Sequence, residues 1–209
     1  MIRIGIAVAI CLIAHAASAA AVDLKVSARC SISGFLSDPK GADIRAAPRA
    51  NAQTIGRLPP MAPLSPGGDE RFGAEFDILG VRNGWLLIAK AEIESDDNIK
   101  TVFEGPGWLP GDKVDFVIGS QELRTAPANN AKVIAKLIGE TEDGNASGPD
   151  SYRVLRLHGC QRHFVDLTIA PPRGARGSSV PMRGWVNKVC SNQKTTCDPA
   201  VADSPNDGR

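Results

Sequence analysis

This chain has no surplus of charge of either sign: 24 basic residues stand against 23 acidic ones in 209. Nucleic acid and anionic membrane surfaces select for a basic excess, so neither is expected as a main partner. Aromatic residues make up only 5%, and histidine occurs three times, at His15, His158 and His163. Any site built on imidazole must therefore use the stretch around His158. Long apolar runs are missing too. Ile4 to Ala14 is one, but it is shorter than the roughly 20 residues that span a bilayer. No integral membrane segment is expected in the mature chain.

What is present at the N-terminus reads as an export signal. Met1-Ile2-Arg3 is a short charged start, the apolar run follows, and Ala17-Ser18-Ala19 has the small-residue form of a signal-peptidase site. Residues 1–19 are therefore read as a signal peptide and set aside from the fold. Without Arg3 the balance is 23 basic to 23 acidic residues. Four cysteines remain: Cys30, Cys160, Cys190 and Cys197. An even number in an exported chain points to disulfides, with three possible pairings.

A repeat organises the rest. "DIRAAPRANAQTIGRL" (43–58) aligns without gaps to "ELRTAPANNAKVIAKL" (122–137), with Arg45/Arg124, Pro48/Pro127, Asn51/Asn130 and Leu58/Leu137 identical. Each copy continues with an apolar strand, a turn, a second strand and a closing Gly-Trp strand, "GPGWLPG" and "MRGWVNKV". Runs of Val, Ile, Leu and Phe bounded by Gly, Pro, Asn and Asp predict β-strands. In "FDILGV", Phe76, Ile78 and Gly80 fall on one face, as do Val165, Leu167 and Ile169 in "HFVDLTI". Ala131, Ile134, Leu137 and Ile138 have a helical spacing, but the partner copy carries Gly56 and runs into Pro59-Pro60, so a strand is expected there.

The order of these motifs, "GADIRAAPRANAQTIGRL … FDILGVRNGWLLIA … GPGWL", resembles the bacterial SH3-like domain family, and it occurs twice. The resemblance implies an all-β protein of two tandem SH3-like small β-barrels with long loop insertions, covering residues 24–112 and 113–197. Residues 198–209 read as a disordered tail. It further implies a non-enzymatic protein of the periplasm or cell envelope that binds peptidoglycan peptides or a periplasmic protein, with no cofactor and no metal. Candidate ligand-binding residues are Trp85, Phe76, Asn83, Arg82 and Trp108. Trp85, just after the turn Arg82-Asn83-Gly84, is the one expected to face a ligand. Arg45 and Arg124 are expected to staple the Ala-Pro turns through backbone carbonyls.

One stretch supports other readings. His158-Gly159-Cys160-Gln161-Arg162 is similar to the His-Gly-Cys-x-Arg signature of L,D-transpeptidases, which would make Cys160 the nucleophile of a wall enzyme. That chemistry needs a base and an orienting group, yet residues 135–150 hold no histidine. His158, Cys160 and His163 supply at most three ligands, one short of a structural zinc site. Placed in the repeat, "RLHGCQRHF" stands where the first copy has "GVRNGWLLI". The second copy is then expected to have lost the middle Trp and gained a cysteine, with Cys160 tied to Cys190 or Cys197.

Overall fold

The computed structural model describes residues 21–63, 68, 71–95, 98–172, 174–175, 180–193 and 197. The signal-peptide reading of residues 1–19 and the tail reading of 198–209 lie outside them. The first repeat contains β1 (Ala28–Leu36), β2 (Ala42–Arg45), β3 (Thr54–Leu58), the short pair β4 (Ala62–Pro63) and β5 (Arg71–Phe72), β6 (Glu75–Arg82), β7 (Trp85–Ser95), β8 (Asn98–Phe103) and β9 (Gly107–Pro110). A 3-10 turn, Gly111–Lys113, leads on to β10 (Val114–Asp115), β11 (Val117–Ile118), β12 (Glu122–Arg124), β13 (Val133–Lys136), β14 (Gly139–Glu140) and β15 (Ala146–Ser147). The chain continues through β16 (Arg153–Gln161), β17 (Phe164–Ala170), β18 (Met182–Val186) and β19 (Val189–Cys190).

The fold is all-β, and the repeat seen in the sequence is also a repeat of strand pairing. The larger sheet runs β10-β1-β6-β7-β9-β2-β3 and the second β13-β12-β18-β17-β16, so the central order is the same in both. Each repeat motif folds as a bulged hairpin, with Arg45 opposite Thr54 and Arg124 opposite Val133. The helical spacing at 131–138 is overridden by this pairing, and Val133–Lys136 is a strand. Neither ladder closes on itself: the sheets end at β10 and β3, and at β13 and β16. A closed barrel is therefore not formed among the described residues.

Local sequence explains the shared parts. Arg45 Nη1 donates to the Ala52 carbonyl and Nη2 to the Asp43 carboxylate; Arg124 makes the same bonds to the Ala131 carbonyl and the Glu122 carboxylate. The guanidinium fork thus closes the loop that the Ala-Pro turn opens, as the sequence predicted. The Gly of each closing Gly-Trp is steric. A methyl on Gly107 would lie 2.3 Å from Ile44 Cγ2, and one on Gly184 would lie 2.7 Å from Leu123 Cγ. Only a bare backbone lets the closing strand lie flat against the hairpin.

The two repeats share one core. Leu36, Ile78, Ile88 and Leu109 of the first copy belong to the same buried cluster as Ile118, Leu123, Leu167 and Val186 of the second. Strand β10, just past the expected boundary, pairs with β1 of the first sheet. Polar contacts cross the seam as well: Gln193 bonds both the N–H and the C=O of Gly73, and Ser191 Oγ donates to Glu75.

The cysteines pair otherwise than expected. Cys30 is bonded to Cys160, and Cys190 to Cys197. Cys160 is not tied to the C-terminal segment because β1 lies beside the end of β16, where Ser31 N donates to the Arg162 carbonyl and Arg162 N to that of Arg29. Both sulfurs of this bridge are at buried residues.

Candidate ligand-binding groove

The Arg82-Asn83-Gly84-Trp85 segment forms a two-residue hairpin. Asn83 has φ 52° and Gly84 φ 78°, the left-handed pair that a type I′ turn requires and Asn-Gly supplies. Arg82 and Trp85 close the turn as cross-strand partners. Asn83 is exposed and Trp85 half-buried.

The other candidates divide. Phe76 is 2% exposed and Trp108 fully buried; both are core, and neither side chain reaches a ligand. Trp108 is capped from inside the chain, its Nε1 donating to the Asp23 carbonyl at 2.6 Å. Arg82 lies over the Trp108 ring, 5.2 Å from its centroid, and pairs with the Asp23 carboxylate. That guanidinium holds the Asp23 carboxyl below the usual carboxylate range. Arg82 is therefore engaged within the fold rather than presented.

Trp85 opens onto a groove of about 490 Å³ between the repeats. One wall is Trp85, Pro110, Asp112 and Asp115; the other is β16, from Val154 to Leu157. Asp115 is half-buried, and burial pushes its carboxyl up to about 6 although the Phe116 N–H bonded to it pulls the other way. Across the groove Arg156 is exposed, and Leu155 is 48% exposed. A tryptophan, a carboxyl group and a guanidinium thus belong to residues that line one cleft. Sequence reasoning singled out Trp85 but missed Asp115 and Arg156. Asp115 sits in the second copy and Arg156 in a strand with no counterpart basic residue, so only folding brings them beside Trp85.

The residues around Cys160 are differently employed. Its sulfur is bonded to Cys30, and His158 Nε2 is hydrogen-bonded to Thr168 Oγ1 at 2.8 Å. Burial, then the nearby Arg183 guanidinium, push the His158 imidazole below its ordinary range. His163 lies in the β16–β17 turn, its ring 4.6 Å from that of Phe164. Strand pairing also corrects the alignment of the two hairpins. Gln161 faces Phe164 as Arg82 faces Trp85, and Val165 faces Val186 as Leu86 faces Leu109. Phe164, 5% exposed, occupies the place of Trp85, so the second copy keeps an aromatic there but turns it inward. The Gly-Cys pair stands three residues earlier, where the first copy has Gly80-Val81.

Comparison with known proteins gives no matching family, no similar curated protein and no similar solved structure. Among the described residues, no helix is long and apolar enough to cross a membrane.

Proposed function

We propose that this is a non-enzymatic, exported protein of the cell envelope, built from two SH3-like repeats, that binds peptidoglycan peptides in the groove beside Trp85. One observation carries the reading: Trp85, Asp115 and Arg156 line the same cleft. A peptide that bears both a free amine and a carboxylate meets complementary groups on the two walls, and its aliphatic stem packs on the indole face. The two disulfides fit an oxidising compartment.

Co-sedimentation with purified peptidoglycan tests this. The wild-type protein is expected in the pellet, and Trp85→Ala is expected to leave most of it in the supernatant. Equal sedimentation of both proteins overturns the site. Failure of both to sediment, with recovery of a protein partner from envelope extract, replaces the ligand class by a periplasmic protein. The competing wall-enzyme reading needs a Cys160 thiolate. Labelling of Cys160 by a thiol reagent in the native, unreduced protein would favour it over binding.

A further inference from the structure

The first repeat carries a segment across the face of its sheet. Ser27 N donates to the Val81 carbonyl on β6, and Asp23 N donates to the Ala46 carbonyl just past β2, both at 2.8 Å. Between those points the chain passes over β7 and β9, and Trp108 lies beneath it, bonded to the Asp23 carbonyl. The crossing needs a glycine below. A methyl on Gly80 would lie 2.4 Å from Val26 Cγ1 and 2.9 Å from the Ala28 carbonyl.

Among the described residues, the second repeat has the same floor without the cover. Trp185 faces Asp166 and Arg124 as Trp108 faces Leu87 and Arg45. Gly159 follows a bulge in β16 as Gly80 follows one in β6. Neither glycine has a positive φ, so the backbone does not require glycine at either place. A methyl on Gly159 would meet nothing within 4 Å. Trp185 is half-buried where Trp108 is fully buried, and among the described residues its indole N–H has no acceptor. The face forms a groove of about 590 Å³. Its lining is more polar than in the first copy: Asp166 replaces Leu87 and is held by Arg183 at 3.1 and 2.7 Å.

We propose that this face of the second repeat binds an extended acidic peptide segment of a partner protein, which crosses Gly159 and lies on Trp185 as residues 22–27 cross Gly80 and lie on Trp108. Charge selects the occupant. Arg29 and Arg162 are exposed at the groove, and neither has an ion-pair partner among the described residues, while the one acidic lining residue, Asp166, is already neutralised by Arg183. The internal precedent carries an acid too, Asp23 on Arg82. A backbone carbonyl of the guest accepts the Trp185 N–H, as that of Asp23 accepts the Trp108 N–H. The segment of a second copy is not the occupant, because residues 22–27 of each chain are engaged on their own Trp108.

The test uses the full exported protein and, as probe, a heptapeptide of residues 21–27 carrying Lys25→Glu, beside a basic control in which Lys25 is kept and Asp23 is replaced by Lys. Calorimetric titration is expected to detect the acidic peptide and to find the control weaker by about tenfold or more. Gly159→Val fills open space, so its melting temperature is expected to match wild type while peptide affinity falls about tenfold or more. Peptidoglycan sedimentation through Trp85 is expected to be unchanged in that variant, which separates this site from the other groove. The proposal is overturned if both peptides bind alike, if neither binds at millimolar concentration, or if Gly159→Val binds as wild type does. Dimerisation of the protein that Gly159→Val abolishes would overturn the choice of partner.

Discussion

Removing the Cys30–Cys160 bridge is expected to destabilise the protein about twice as much as removing Cys190–Cys197. The two bridges span sequence separations of 130 and 7 residues. Chain-entropy loss from the unfolded state grows with the logarithm of loop length, giving about 5 kcal/mol for the first and about 2.4 kcal/mol for the second. Burial increases the difference. Cys160 and Cys30 are 2% and 8% exposed, so Cys30→Ala/Cys160→Ala also leaves a small cavity at the seam. The shared core is expected to hold the repeats together regardless, because each buried Leu or Ile contributes about 2 kcal/mol. Urea unfolding of this double variant and of Cys190→Ala/Cys197→Ala measures both losses. With a urea slope of about 2 kcal/mol/M, the two midpoints fall by roughly 2.5 M and 1.2 M. Equal shifts, or a larger shift for the short loop, would refute the reasoning. A two-step transition in the Cys30/Cys160 variant would instead show that the bridge, and not the core, couples the repeats.

Two further outcomes follow from single positions. Asp115 has its folded-state carboxyl raised from 3.8 to about 6, so the folded protein holds a proton that the unfolded chain releases. Stability from this group is therefore highest below about pH 4, falls as pH rises to about 6, and is flat above, by about 3 kcal/mol at most. Asp115→Asn is expected to raise the urea midpoint at pH 7 and leave it unchanged at pH 4; an equal change at both would sink the assignment. Gly107→Ala places its methyl 2.3 Å from Ile44 Cγ2, whereas a methyl on Gly105 meets nothing within 4 Å. The first is expected to lower stability by about 1–3 kcal/mol and the second to leave the melting temperature close to wild type, as read by thermal denaturation.

The repeat, the strand character and the two arginine staples were legible in the sequence because each rests on residues near one another in the chain. Arg45 and Ala52, or Arg124 and Ala131, are seven residues apart, and the hairpin between them is local. The Gly-Trp motifs were visible too, but their meaning was not. Whether a tryptophan is floor or core depends on what lies over it, and Trp108 is core only because residues 22–27 cross the sheet to cover it.

In the sequence, the repeat sets Gly159-Cys160 against Asn83-Gly84. Strand pairing moved the match by three, since a cross-strand partner is fixed by backbone hydrogen bonds and not by residue type.

Sequence by itself thus determined the alternation of buried and exposed positions and the two copies of the unit, both properties of short range. Only tertiary structure decided that Cys30 joins Cys160, that the two copies close over one core, that Trp85 shares a cleft with Asp115 and Arg156, and that Trp185 is only half-buried where Trp108 is buried. Those facts join residues tens of positions apart. Their cost in chain entropy is met by the collective burial of the whole core rather than by any local preference.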